Sequence, residues 1–572
     1  MLKIKQITLF LLIGFSYQIK SNAQENIISK VPKDYFINPL NIKLLLAGSF
    51  GEIRSNHFHS GIDIKTNQKE GYPVFAVADG FVSRLRVQIG GFGNAIYINH
   101  PVGINSVYAH LQKFNPRIEG MMRFRQFKYE SFAQDFLLTP IEIPVKKGDL
   151  IGWSGNSGSS AGPHLHFELR DSKTEETINP LLLGIKINDT IKPNITGLYI
   201  YKTNQLPFSD ATPKQYFQTI GSNGNYKLNN VEVINVATEI GLGIMAYDQQ
   251  NETANKNGIF SATIKLDGEV IFETVIDKFA FDDSRAVNTF IDYPSKIASG
   301  RVIQKGFIGP NPKMKFYSQI KNRGLIILSD LNIHNVEYIL KDYSGNESKL
   351  NFKLKSVPAI VKTPLFIIGQ QMSFAKANTF INNEVKVNLP ANVLYDDIDF
   401  KFATSPKLSF AGSKTYQIHN KLTPLHNTYE LAIKVDSNVL TYADKMLVIN
   451  SESGSQGGEF KDGYVKANPK IFGNFYLRID TIAPTIVPLN IKEAANLSTQ
   501  KNVVFRISDN LAGIETFNLY IDNKWVLVEY DQRNGKLWHT FDERTGFGKH
   551  TLKLVVTDRK QNEKTYSVNF YR

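Results

Sequence analysis

Residues 162–170 read Gly-Pro-His-Leu-His-Phe-Glu-Leu-Arg, and this stretch limits what the chain can fold into more than any other. His164 and His166 stand two apart, flanked by Leu165 and Phe167. The alternation predicts a strand, on which residues i and i+2 share one face. Two imidazoles on one face can serve a single metal ion, or one can bind metal while the other moves protons. Six of the chain's 11 histidines lie at positions 57, 59, 100, 110, 164 and 166.

The segments around those histidines are short and glycine-punctuated. Residues 71–82, 91–100 and 107–111 each read as strands with tight turns, and residues 145–152 lead into the Gly/Ser-rich loop 153–162. Little in this region has helical periodicity, which predicts an antiparallel β domain. His59 and Asp63 form a His-x-Gly-x-Asp pattern. Imidazole and carboxylate are both good zinc ligands, and Gly61 would let the backbone turn so that the two converge.

Taken together, His59-x-Gly-x-Asp63, Tyr108-Ala109-His110-Leu111 and Gly162-Pro163-His164-Leu165-His166-Phe167-Glu168 resemble the lysostaphin-type zinc metallo-endopeptidases that cut peptidoglycan. The resemblance covers roughly residues 44–185 and extends to the intervening strands 71–82 and 145–152. It implies zinc held by His59, Asp63 and His166, with His110 and His164 as catalytic histidines beside the metal. Three protein ligands leave one zinc position open, as a catalytic site requires. His57 also sits near the first ligand in His57-Phe58-His59, and only the family spacing selects His59. His57 and His100 are read as structural.

One segment exceeds the family pattern. The insert at 114–144 carries aromatics at roughly helical spacing from Met121 to Leu138, with Arg123, Arg125 and Lys128 among them. It reads either as a lid or partner-binding element beside the cleft, or as a small helical excursion packed on the sheet.

Behind the first domain the sequence repeats itself. Asp189-Thr-Ile-Lys-Pro193 recurs as Asp480-Thr-Ile-Ala-Pro484, Gly258 to Asp267 recurs as Gly513 to Asp522, and Asp342-Tyr-Ser-Gly-Asn346 recurs as Asp558-Arg-Lys-Gln-Asn562. Both copies consist of short alternating strands, the pattern of immunoglobulin-like sandwiches. The fold class expected is therefore mainly β: an antiparallel β-sheet metallopeptidase domain followed by β-sandwich, immunoglobulin-like domains. The expected division is a signal peptide at 1–23, the peptidase domain at 24–188, an immunoglobulin-like domain at 189–356, a β domain of unassigned family at 357–478, and a second immunoglobulin-like domain at 479–572.

The first 23 residues have the form of a secretory signal: Lys3 and Lys5, an apolar run from Ile7 to Tyr17, and small residues before Gln24. That run is too short for a membrane span, so none is expected after its removal. The chain has no cysteine, which excludes disulfides, thiolate metal sites and a cysteine nucleophile. A net charge of +13 suits contact with anionic wall polymers, and no nucleic-acid motif accompanies it. An exported protein of the bacterial periplasm or cell envelope is expected. Its function would be hydrolysis of peptide bonds in peptidoglycan stems or crosslinks by metal-activated water. The alternatives are a non-catalytic wall-binding or regulatory protein that retains the fold, and a zinc peptidase with a non-wall substrate. An envelope protein is a candidate partner through the insert or the C-terminal β domains.

Overall fold

Seven antiparallel strands place the conspicuous histidines. They are β1 (Leu46–Gly48), β2 (Ile62–Lys65), β3 (Gly80–Val87), β4 (Asn94–His100), β5 (Ile104–Ala109), β6 (Gln134–Leu137) and β7 (His164–Asp171). They join in the order β1-β2-β7-β5-β4-β3-β6. This is a computed structural model and describes residues 27–203, 207–357 and 369–572. The expected signal segment at 1–23 lies outside the described residues.

β7 and β5 are central, and both are covered on two faces. One face of β7 sends Leu165, Phe167 and Leu169 into the hydrophobic core. The opposite face carries His164, His166, Glu168 and Arg170 in a row, as the period of two dictates. A buried polar row is tolerated only when its members satisfy one another.

The core of this sheet is completed from later in the chain. Phe58 is surrounded by Phe279, Phe290 and Phe316 at ring separations of 5.7, 5.5 and 5.6 Å. Thr177–Ile178 pairs antiparallel with Lys278–Phe279. Ile276, Phe279, Phe290, Ile291, Met314 and Phe316 thus belong to the packing of the first sheet, and Lys278–Phe279 joins that sheet, whereas Gln304–Lys305 joins the next one.

The insert is a helix followed by an edge strand. α1 (Pro116–Lys128) is capped by Asn115, whose side chain accepts from the Ile118 amide at 2.9 Å. The helical pattern read over 121–138 is therefore displaced: the helix starts earlier, with a proline in its first turn. Its place at the C-terminal end of the insert is taken by β6, which extends the sheet along β3. Ile118, Met122 and Leu138 are buried in the core of the first sheet, so the insert is anchored rather than free.

Beyond the first sheet the chain remains β. A twelve-stranded sheet spans strands from Asn194 to Ser356, two five-stranded sheets sandwich the core around Phe472 and Phe475, and four- and five-stranded sheets enclose the last core. This last domain folds back onto the insert. Trp525 meets Phe127 at 5.4 Å, and the Arg544 guanidinium stacks over the same ring at 4.0 Å.

Candidate metal centre

Register brings the site together. His166 lies directly opposite Asp63 on β2 and Ala109 on β5. Directly opposed residues of an antiparallel pair share a face at short range. His59, Asp63 and His166 each offer one ligand atom, and these atoms lie within 4.8 Å of one another. His59 Nε2 is 3.1 Å from Asp63 Oδ1 and 3.1 Å from His166 Nδ1, which is itself 2.9 Å from Asp63 Oδ1. All three residues are buried.

Each imidazole is fixed by its outward nitrogen. His59 Nδ1 donates to the Ser49 carbonyl at 2.8 Å, and His166 Nε2 donates to Glu168 Oε1 at 2.8 Å. Those bonds leave His59 Nε2 and His166 Nδ1 directed at Asp63, where each would offer a lone pair to a metal ion that displaces its proton. Two imidazole nitrogens and a carboxylate oxygen therefore converge, and this donor set fits a tetrahedral N,O-ligated metal.

The local electrostatics point the same way. Burial opposes ionisation of Asp63, but His59, together with hydrogen bonds from His164, His166 and His59, holds its carboxyl well below the usual range. Burial also opposes a charge on His166, yet the Asp63 and Glu168 carboxylates on either side prevail and raise it to about 9. The site attracts positive charge.

His110 and His164 stand alongside, with rings 4.9 Å apart. His110 Nδ1 donates to the Ser157 carbonyl at 2.8 Å, and His164 Nδ1 to the Gly162 carbonyl at 2.8 Å. Both present Nε2 away from these anchors, and His164 Nε2 lies 3.4 Å from Asp63 Oδ1. Burial, then the neighbouring His166 and His164, lower His110 to about 3, so its free nitrogen is an unprotonated acceptor at neutral pH. His110 itself sits at φ 59°, a backbone state uncommon for a side chain of this size.

The other two histidines are elsewhere. His57 is exposed and turns back on its own loop to the Ser55 carbonyl at 3.0 Å. His100 is buried between the Asp79 carbonyl at 2.8 Å and the Ser106 hydroxyl at 2.7 Å.

The structure adds residues that sequence reasoning did not single out. Arg54 Nη2 pairs with Asp63 Oδ2 at 2.5 Å, occupying the carboxylate oxygen that faces away from the histidines. Glu168 is held by Arg170 at 2.6 Å and by the Ser60 hydroxyl at 2.5 Å. Glu168 and Arg170 were visible as period-two companions of His166; Arg54 carried no such signal. Gly61 has a different purpose from the turn expected of it. A Cβ there would lie 2.3 Å from the Phe167 carbonyl, so glycine is what allows β2 to approach β7. Gly48 likewise leaves room for the Arg54 guanidinium, which a Cβ would meet at 2.3 Å.

The C-terminal domain reaches this neighbourhood. Arg533 Nη1 donates to the Ser160 carbonyl at 2.8 Å, and the Ser160 hydroxyl lies 3.2 Å from His164 Nδ1.

Residues 57–122 match the family model described as Peptidase family M23, and residues 369–480 match that of the Zu5-like domain. The second match overlaps the β domain expected at 357–478, which sequence reading left unassigned. Over 127 residues the chain is 34% identical to the DD-carboxypeptidase/endopeptidase Mpg of Neisseria meningitidis serogroup B, covering 22% of this chain and 23% of that protein. It is 31% identical over 154 residues to the glycyl-glycine endopeptidase ALE-1 of Staphylococcus capitis, covering 26% and 35%. It is 32% identical over 111 residues to lysostaphin of Staphylococcus staphylolyticus, covering 19% and 18%. The match to the Neisseria protein thus spans about a quarter of that relative's length. The N-terminal region of this chain is a lysostaphin-type domain of the M23 peptidase family.

Proposed function

We propose that the chain is an exported zinc-dependent endopeptidase that hydrolyses peptide bonds in the stems or crosslinks of peptidoglycan. The observation that carries this reading is the convergence of His59 Nε2, Asp63 Oδ1 and His166 Nδ1 beside two further histidines with free nitrogens.

His59, Asp63 and His166 would hold the zinc. When bound, zinc supplies Lewis-acid polarisation of the scissile carbonyl and lowers the pKa of water toward ~7. Arg54 neutralises the outer oxygen of Asp63, leaving Oδ1 for the ion. Ser49 and Glu168 fix the tautomers of His59 and His166, so neither ring must reorganise to bind. His110 is the proton acceptor, because its Nδ1–H is committed to Ser157 and its Nε2 is neutral and free. His164, anchored through Gly162 and Ser160, presents its other nitrogen to the substrate carbonyl, where in the imidazolium form it would donate to the oxyanion that forms.

The β domains beyond residue 188 are read as immunoglobulin-like and Zu5-like accessory modules, and the basic charge as a means of dwelling on an anionic wall. Among the described residues no helix is long and apolar enough to cross a membrane. The test is to incubate the zinc-loaded chain with purified cell wall and identify the fragments by mass spectrometry. New amino termini within stems or crossbridges are expected. An intact wall, together with cleavage of an unrelated protein substrate, would overturn the assignment.

A further inference from the structure

The repeated sequence pieces converge in space. Asp189, Asp248 and Asp342 bring one carboxylate oxygen each to within 4.8 Å of one another, and Asp480, Asp509 and Asp558 do the same in the second copy. The framing is repeated atom for atom. Asn346 donates its amide to Asp342 Oδ1 at 2.9 Å and its side chain to Asp342 Oδ2 at 2.7 Å and the Asp189 carbonyl at 3.2 Å. Asn562 makes the corresponding bonds to Asp558 Oδ1, Asp558 Oδ2 and the Asp480 carbonyl at 2.9, 2.8 and 3.0 Å.

Unpartnered oxygens remain inside this frame. Asp248 is 4% exposed and its Oδ1 has no hydrogen-bond partner. Asn257 is 6% exposed and its Oδ1 is equally unpartnered. Asp248 and Asn257 exchange both backbone hydrogen bonds, at 3.0 and 2.8 Å, so their side chains leave the same face of the ladder. A buried neutral amide oxygen therefore faces the same space as the three carboxylates. In the second copy the matching Asp509 Oδ1 is again buried without a partner. Among the described residues no Lys, Arg or His forms an ion pair with any of these six aspartates. A buried carboxylate oxygen with neither a donor nor an ion-pair partner, as at Asp248 Oδ1, is costly, and the cost falls if a cation takes the centre.

We infer that each copy binds a hard divalent cation, calcium in particular, through Asp189, Asp248, Asp342 and the Asn257 side-chain oxygen in the first and through Asp480, Asp509 and Asp558 in the second. Calcium accepts an all-oxygen set of carboxylates, amide oxygens and water with flexible geometry, whereas magnesium demands a tighter octahedron.

The first site also has a mechanical position. The loop from Asp248 to Gly258 braces β1 and Ser49, which follows it. Gln250 accepts from the Leu46 amide at 2.9 Å and donates to the Leu44 carbonyl at 3.0 Å; Asn255 donates to the Ala47 carbonyl at 2.9 Å; the Gly258 amide donates to the Ser49 hydroxyl at 2.9 Å. The second cluster lies where the Zu5-like match ends at residue 480. Both cations would stiffen a junction between domains.

The test is calorimetric titration of the full chain, freed of divalent ions and reloaded with zinc, using calcium alone. Two saturable equivalents are expected, with affinities tighter than ~1 mM, together with a rise of several degrees in unfolding temperature. Asp248→Asn and Asp509→Asn should each reduce the stoichiometry to one, and the double variant should bind none. Because asparagine keeps the shape of aspartate without its negative charge, each variant should be as stable as the parent in chelator, or more so, while losing its share of the calcium-dependent rise. Zinc content should stay at one equivalent throughout. Absence of saturable calcium binding, or a stoichiometry of two retained in both variants, would overturn the proposal.

Discussion

The histidine cluster of the N-terminal sheet and the aspartate clusters of the repeated domains solve opposite electrostatic problems. In the first, every polar atom that points away from the centre is already engaged: His59 by Ser49, His166 by Glu168, and Asp63 by Arg54. What converges on the centre is two imidazole nitrogens and one carboxylate oxygen. In the second, most carboxylate oxygens accept a hydrogen bond, but Asp248 Oδ1 and Asp509 Oδ1 are buried without a donor in clusters of three carboxylates. The difference teaches that supporting contacts decide the kind of ion. Oriented nitrogens with a balanced charge favour zinc; uncompensated oxygens favour a hard cation.

The strongest way to break this contrast is to remove a nitrogen ligand. His59→Ala should abolish near-stoichiometric zinc, measured by elemental analysis, and with it activity on cell wall. His57→Ala, which alters an exposed ring, should do neither. If His57→Ala rather than His59→Ala empties the site, the ligand set is wrong.

Next in size are the histidines beside the ligands. His110→Ala and His164→Ala should keep zinc but lower turnover about 10²-fold or more, the usual worth of a proton carrier or an oxyanion partner. Parental rates from either variant would remove it from the mechanism.

Glu168→Gln tests whether orientation alone matters. The amide still fits but no longer holds a carboxylate against His166 Nε2, and zinc affinity should fall about 10–100-fold. An unchanged affinity in a competition titration would make Glu168 a purely structural partner of Arg170.

His100 supplies a pH contrast away from both kinds of cluster. Burial, only partly offset by Asp79, lowers it to about 4, below its ordinary value of about 6.5. The unfolded chain therefore binds a proton that the native chain refuses between those values. The stabilisation is complete above about pH 6.5 and is lost as pH falls toward 4. The unfolding temperature of the parent should drop more steeply over this window than that of His100→Gln; parallel slopes would count against the assignment.

The smallest expected effect concerns the docked C-terminal domain. Arg533→Ala removes the bond to Ser160, one contact away from His164. Zinc content should not change, and turnover on cell wall should shift several-fold. Identical kinetics would leave this docking without influence on the site.

Much of the site was legible because it is periodic. His164 and His166 alternate with Leu165 and Phe167, and a two-residue period assigns faces without any knowledge of partners. The β class followed from the same alternation, and the paired aspartate segments could be seen as a repeat. Helix boundaries within the insert were not legible, since the aromatics at 121–138 serve first a helix and then an edge strand. Arg54 was silent in sequence, because its partner is chosen by the approach of β1 to β2 past Gly48.

The sequence by itself determined which residue types share a face, that cysteine chemistry is excluded, and that the strands are short and antiparallel. These are local properties, written in spacing and composition. Tertiary structure alone decided that Asp63 lies opposite His166, that aromatics between 276 and 316 complete the first core, that Arg533 touches the Ser160 loop, and that three aspartates about 30–90 residues apart meet twice. The physical reason is range. Periodicity is set by the backbone within one strand, whereas register, docking and the meeting of distant carboxylates depend on which strands pair and how whole domains pack.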